Sequence, residues 1–375
     1  MGTQTQNGVL PELPARMSPA PAPAKAPKKK LVRRTEADRS QIIRRTFQLL
    51  FLAWNIYLGT VFYFWVRHYE IGIDTRSAVR PSGVEGWLPI AGLMNLKYWL
   101  VTGRVPAIHP AAMFLLVSFL AMAFLFRKAF CSWLCPIGTL SEYLWRAGRL
   151  VFGRNLTLPR WLDILLRGLK YLLLGFFAWA VSTLSADAIA AFMGSPYGAV
   201  ADVQMLNFFR HIGETGLIVF TILVFLSVLV QNFWCRYLCP YGALLGLTSF
   251  LSPTHIRRVP DACIDCAKCA KACPSVLPVD KLVSIKSAEC TGCLECVAVC
   301  PAQGALTMRS GWGHGPDLRP WAVAAGVVLI FAGIVGGAKI TGHWKTDLPR
   351  SVYLQLVPRA DQAAHPMPGD PTLSQ

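Results

Sequence analysis

All twelve cysteines of this 375-residue chain fall into four short groups, and none lies elsewhere. Two groups repeat one spacing: Cys263-x2-Cys266-x2-Cys269-x3-Cys273-Pro274, then Cys290-x2-Cys293-x2-Cys296-x3-Cys300-Pro301. An iron–sulfur cubane needs a thiolate at each of four corners. A tight loop supplies three at intervals of three residues, and the fourth must come from farther along the chain. In this pattern the fourth cysteine serves the other cluster. Cys263, Cys266 and Cys269 are thus expected to share one [4Fe-4S] cluster with Cys300, and Cys290, Cys293 and Cys296 a second with Cys273. Crossed ligands would lock both clusters into one small unit, and each proline turns the chain away after its fourth ligand. Structural zinc also favours Cys-x2-Cys, but it takes two such pairs per ion, not a triplet plus a remote Cys-Pro repeated twice.

The other two groups are Cys131-x3-Cys135-Pro136 and Cys235-x3-Cys239-Pro240. Cysteines at i and i+4 share one side of a helix. Each pair follows an apolar helix expected to run inward, so four sulfurs can meet at one membrane depth. Three uses stay open for them: a third [4Fe-4S] cluster or other metal, redox-active dithiols, or inert buried helix ends. Arg127, Lys128 and Arg236 favour thiolate over thiol, although membrane topology alone would place cations there.

The elements that must position these cysteines are apolar. Hydrophobic residues make up 54% and charged residues 15% of the chain, against roughly 25% charged in soluble domains, and the mean hydropathy is +0.42. Five membrane helices are expected near 46–66, 109–126, 165–184, 216–233 and 320–338, each close to the ~20 residues that cross a bilayer. The third carries Arg167 and Lys170 at its start. With the N-terminus inside, 27 Lys and Arg face the cytoplasm and 10 the other side, which places the N-terminus and cysteine motifs in the cytoplasm and the C-terminus outside. The net charge of +17 is therefore a membrane signature, and no aromatic–basic platform for nucleic acid accompanies it. Cysteines confined to ligand motifs also exclude a disulfide-stapled exported protein.

Residues 1–45, with Pro19-Ala20-Pro21-Ala22-Pro23-Ala24 and Lys28-Lys29-Lys30, are expected as a disordered basic cytoplasmic tail. Arg44-Arg45-Thr46-Phe47 faintly resembles a twin-arginine export signal, but reads better as a positive-inside anchor for the first helix. A membrane domain over 46–255 contains both Cys-x3-Cys-Pro motifs. A cytoplasmic ferredoxin-like domain fills 256–310, followed by the fifth helix and a periplasmic tail over 339–375. Trp87–Leu93 and Tyr98–Val101 are too short to span and suit the interface, and Gly194-Ser195-Pro196-Tyr197-Gly198 reads as a turn. His109 and His211 fall near the outer face as interfacial polar residues, and His343-Trp344-Lys345 as an interface anchor. The two halves repeat in one sense (helix out, loop, helix in, Cys-x3-Cys-Pro), which implies an axis along the membrane normal. The fold class is thus an all-α polytopic membrane domain of two parallel repeats with an inserted α+β two-cluster ferredoxin-like domain.

From Trp133-Leu134-Cys135-Pro136-Ile137-Gly138 and Cys235-Arg236-Tyr237-Leu238-Cys239-Pro240 through the twin cluster motifs, the chain resembles the NosR/NapH group of polyferredoxin-type membrane proteins. The resemblance covers about residues 45–340. It implies a bacterial inner-membrane electron-transfer role linked to quinol and to a partner redox protein or metalloenzyme. NosR has an additional extracytoplasmic flavin domain where this chain has a loop of about forty residues. CcoG-type relatives, linked to copper handling, end in an immunoglobulin-like domain for which the roughly 37 residues after the last helix are too few. Two functions follow as expectations: an electron relay between quinol, or a cytoplasmic donor, and a partner enzyme; or an assembly factor that reduces or handles a metal such as copper through Cys-x3-Cys-Pro. No catalytic residue is evident.

Overall fold

The computed structural model describes residues 31–35, 38–72, 79–311 and 315–366. The first half runs through α1 (Ser40–Glu70), a 3-10 turn (Ser82–Trp87), α2 (Pro89–Thr102), α3 (Pro110–Phe126), α4 (Ala129–Trp133) and α5 (Pro136–Phe152). The second holds α6 (Arg160–Thr183), the short α7 (Ala186–Gly194), α8 (Pro196–Ala199) and α9 (Ala201–Arg210), then α10 (Glu214–Leu229), a π-helical turn (Trp234–Leu238) and α11 (Pro240–Phe250). Next come β1 (His255–Arg258), α12 (Lys268–Ala272), β2 (Ser284–Ile285), α13 (Glu295–Ala298) and β3 (Leu306–Arg309), and finally α14 (Pro320–Ile340) and α15 (Arg350–Leu356).

Helices form at all five apolar stretches, but among the described residues only α1, α6 and α14 are long and apolar enough to cross a membrane. The bent pair α9–α10, broken by 83°, makes a fourth if taken as one span, and α3 is apolar but has 17 residues. The shorter lengths have local causes. Pro110 occupies the first position of α3, and Arg127 ends that helix with a left-handed φ of 62°; a non-glycine residue rarely adopts this backbone within a helix. α10 starts after the extended Gly213 and ends at the extended Val230.

α1 departs from expectation in the other direction. It begins at Ser40 and spans 31 residues, roughly 46 Å at 1.5 Å per residue, well beyond the ~30 Å hydrocarbon core. Its first turns carry Arg44 and Gln48, both buried. Part of the stretch expected as a tail is also ordered. Residues 31–35 run beside 301–303, with Arg34 N–H donating to Pro301 O (3.1 Å) and Gln303 N–H to Val32 O (2.9 Å). The proline–alanine run and Lys28–Lys30 lie outside the described residues.

The three strands form one antiparallel sheet in the order β2-β1-β3, pairing Ile256 with Ile285 and with Met308. These inward side chains belong to the same core as Phe119, Met122, Phe130, Trp133 and Leu245 of the helical part. The strand module is thus packed onto one end of the helices. α5 and α10 cross closely: a Cβ added at Gly148 would lie 1.9 Å from Val228 O.

At the far end, Trp65 and Tyr69 of α1 pack with Tyr353 of α15, Trp65 meeting Tyr353 edge-on at 5.2 Å. Residues beyond the last long helix therefore form a cap. Beneath it lies a buried charge network. Arg80 donates to Glu85 Oε1 (2.7 Å) and Asp202 Oδ2 (2.6 Å), and Thr346 Oγ1 donates to Glu85 Oε1 (2.8 Å). His109, expected as an interfacial residue, is fully buried in this network, with Nε2 2.9 Å from Gly198 O and Nδ1 3.4 Å from Glu85 Oε1. Its partners come from three remote segments, so no local pattern revealed them. His211 and His343 are exposed.

Burial opposes charge on Glu85, but Arg80 and His109 outweigh it and hold the carboxyl at about 2, while Glu85 lifts His109 above its ordinary 6.5 despite burial. A depressed carboxyl stabilises above its unfolded value and loses that contribution as pH falls from 4.5 toward about 2. A raised imidazole stabilises below 6.5 and loses its contribution as pH rises through the folded value. The apparent Tm in detergent is expected to peak between these limits and to fall on both sides. His109→Gln should flatten the alkaline limb and, because His109 also helps hold Glu85 low, make the acid limb shallower; an unchanged alkaline limb would assign that limb elsewhere.

Candidate metal centres

The strand module holds two cavities. Cys273, Cys290, Cys293 and Cys296 wall the first, with Ile256, Leu277, Val279, Ile285 and Leu294. Cys263, Cys266, Cys269 and Cys300 wall the second, with Ile264, Lys268, Asp280 and Leu306. Each cavity takes three cysteines from one motif and the last cysteine of the other. α12 and α13 are single turns that start at left-handed Ala267 and Leu294. This backbone folds each x2 spacing into a loop around its cavity.

The sulfurs ring a space instead of meeting at a point. Among the described residues no three His, Cys, Asp or Glu side chains are placed to hold a single metal ion. Tetrahedral zinc would draw four sulfurs to ~2.3 Å of one centre. A sulfur-rich, mostly apolar wall, with Lys268 and Asp280 also on the second cavity, suits a cubane with thiolate corners. The donor set fits the group.

The cavities differ in exposure. All four cysteines of the first are buried, whereas Cys266 is exposed and Cys263 and Cys300 are partly so. The first lies against the helical part. Trp133 Nε1 donates to Gly292 O (3.2 Å) and Ser132 Oγ to Thr291 O (2.7 Å). Burial pushes Cys273 up to about 11 and Cys293 to about 12, so these thiols stay protonated unless a metal takes the proton's place.

Cys131, Cys135, Cys235 and Cys239 also come together, each in electrostatic reach of others in the set. Cys135 caps α5 and Cys239 caps α11, with Pro at the first helical position in both. Gly138 N–H donates to Cys135 Sγ (3.4 Å) and Gly242 N–H to Cys239 Sγ (3.3 Å). A helix N-terminus offers unpaired N–H groups and partial positive charge to such a sulfur. Only glycine fits at 138, where a Cβ would lie 2.2 Å from Cys131 O.

Buried charges around the first cavity were not legible as a site. Arg44 donates to Glu142 Oε2 and Oε1 (2.6 and 2.7 Å), to Glu295 Oε1 (2.8 Å) and to Ser132 O (3.3 Å). Arg146 bridges Glu142 and Glu295. On the other flank Lys170 Nζ meets both oxygens of Glu289 at 2.7 Å, and Lys128 stands 3.5 Å from Glu289. Burial would raise the Glu289 carboxyl, but Lys128 and Lys170 together hold it at about 2. The one available signal was Arg167 and Lys170 in an apolar stretch, since an intramembrane cation calls for a partner. Arg167 pairs with Asp163 at 2.6 Å.

These features define a ferredoxin-type iron–sulfur module built onto an apolar helical base. A family model described as a 4Fe-4S dicluster domain matches residues 255–301, and one described as a 4Fe-4S binding domain matches 108–159 and 212–258. A relative named as an electron transport protein, YccM of Escherichia coli, is 51% identical over 326 residues, 86% of this chain and 91% of the relative. The ferredoxin-type protein NapH of Escherichia coli is 25% identical over 60% of this chain and 75% of its own length. The regulatory protein NosR of Stutzerimonas stutzeri is 30% identical over 45% of this chain and 23% of its own length. The chain belongs to the NosR/NapH-type polyferredoxin family. No solved structure matches it.

Proposed function

We propose that this protein is an iron–sulfur electron-transfer protein of a bacterial inner membrane, relaying electrons between the quinol pool, or a cytoplasmic donor, and a partner redox enzyme. The pair of four-cysteine cavities carries this reading. Cys263, Cys266, Cys269 and Cys300 would hold one [4Fe-4S] cluster, and Cys273, Cys290, Cys293 and Cys296 the other. Bound clusters supply reversible one-electron storage. The protein's part is to fix the ligands, keep water from the buried cavity and leave the Cys266 side open to a donor or acceptor. Cys131, Cys135, Cys235 and Cys239 would hold a third centre, a reading supported by the 4Fe-4S description of the model that matches both of their segments.

In this reading α3 and α10 also cross the membrane, giving five spans in two parallel repeats, with the N-terminus and cysteine motifs cytoplasmic and the C-terminus periplasmic. Support comes from the Lys and Arg asymmetry and from exposed apolar side chains such as Leu172, Phe176 and Trp179 of α6 and Leu217, Phe220 and Phe225 of α10, which suit contact with lipid.

Anaerobic purification, iron analysis and EPR after dithionite test the proposal. Three centres correspond to about twelve irons per chain, falling to about eight in Cys131→Ala or Cys235→Ala. Iron unchanged in those variants would remove the third centre. Colourless, EPR-silent wild-type protein would remove the whole reading, and copper bound through Cys135 and Cys239 without iron would favour metal handling.

A further inference from the structure

Three cysteines of the buried cavity lie within Cys290–Cys296, and a carboxylate immediately precedes the first and the third of them: Glu289 before Cys290 and Glu295 before Cys296. Both are clamped by cations of the helical part. Arg44 is 1% exposed, its charge is felt at the Cys293 sulfur, and its neighbour Gln41 donates Nε2–H to Cys293 O (3.0 Å). Glu295 accepts from Arg44 and Arg146, and its charge is likewise felt at Cys293. The solvent-side cavity has a different neighbour: Arg34, whose charge reaches Cys300 and whose side chain is 33% exposed.

We propose that Arg44 and Glu295 act as an opposed pair of tuning residues that set the midpoint potential of the membrane-facing cluster independently of the solvent-facing one. This rests on the reading that the cavities hold clusters. Reduction adds one electron to a cluster that the protein surrounds with little water, and no protein bond forms or breaks. A buried charge is poorly screened there. The Arg44 guanidinium stabilises the added negative charge and raises the potential, and the Glu295 carboxylate lowers it. An exposed cation such as Arg34 is screened by water and salt, so it has little effect on the solvent-facing cluster.

Anaerobic redox titration of the full-length protein with dithionite as reductant, followed by EPR, reads this directly. Cys266→Ala, which removes a ligand of the solvent-facing cavity, and Cys293→Ala, which removes one of the membrane-facing cavity, assign the two signals apart from any third centre. Arg44→Gln should shift the membrane-facing signal to more negative potential and Glu295→Gln to more positive potential, with the solvent-facing signal unmoved. Arg44→Lys keeps the charge and should stay near wild type. Shifts of the same sign in Arg44→Gln and Glu295→Gln, no shift in either, equal shifts in both clusters, or Arg44→Lys behaving as Arg44→Gln would each overturn the proposal. If Arg44→Gln does not accumulate, Glu295→Gln decides alone, and a negative or absent shift overturns it. Wild-type protein without iron would instead defeat the underlying cluster reading, so the two failures are distinct.

Discussion

Cys300→Ala should eliminate the cluster signal that Cys263→Ala eliminates, and leave the signal that depends on Cys290, Cys293 and Cys296. The expected loss is about four irons per chain. Cys300 belongs by sequence to the second motif, only four residues after Cys296, so a one-motif, one-cluster arrangement predicts the opposite. The geometry favours crossing, because Cys300 shares a cavity with Cys263, Cys266 and Cys269 while Cys273 stands on the wall with Cys290, Cys293 and Cys296. The reciprocal variant, Cys273→Ala, should lose the other signal. Iron analysis with EPR on the four variants checks this, and Cys300→Ala losing the same signal as Cys290→Ala would defeat the crossed assignment.

Lys170→Ala is expected to lower stability by about 3–5 kcal/mol, the usual cost of stranding one member of a buried ion pair. Lys170 has no exposed surface and gives two 2.7 Å hydrogen bonds to Glu289. Its removal leaves Glu289 with Lys128 at 3.5 Å and a hydrogen bond from Tyr171 at 3.4 Å, too little to offset desolvation of the carboxylate. Because the penalty is mostly that of the stranded charge, Lys170→Met combined with Glu289→Gln should recover most of the loss. Denaturant or thermal melts in detergent check both. A double variant no more stable than Lys170→Ala would show that the side chain's packing, and not its charge pairing, is what matters.

The two clamps bear on how the module is seated. Arg44 comes from the first turns of α1 and Lys170 from α6, and each reaches a carboxylate beside a cysteine of the buried cavity. With Trp133 and Ser132 donating to Gly292 and Thr291, the ligand loop is fixed from several helices at once.

The cysteine triplets are written in the sequence by itself, because intervals of three residues act within one tight loop and depend on nothing remote. The apolar helices are legible for the same reason, since hydropathy is additive along a segment. Their usable lengths are less so: α3 and α10 are cut short by left-handed or extended residues at their ends, which hydropathy does not report. Only the tertiary structure decided the partners of buried charges. Arg44 read as a topogenic cation because Glu295 stands 251 positions away. His109 read as interfacial because Glu85 and Asp202 reach it from other segments. A local pattern can require four sulfurs, but which buried charges surround them depends on how distant helices pack.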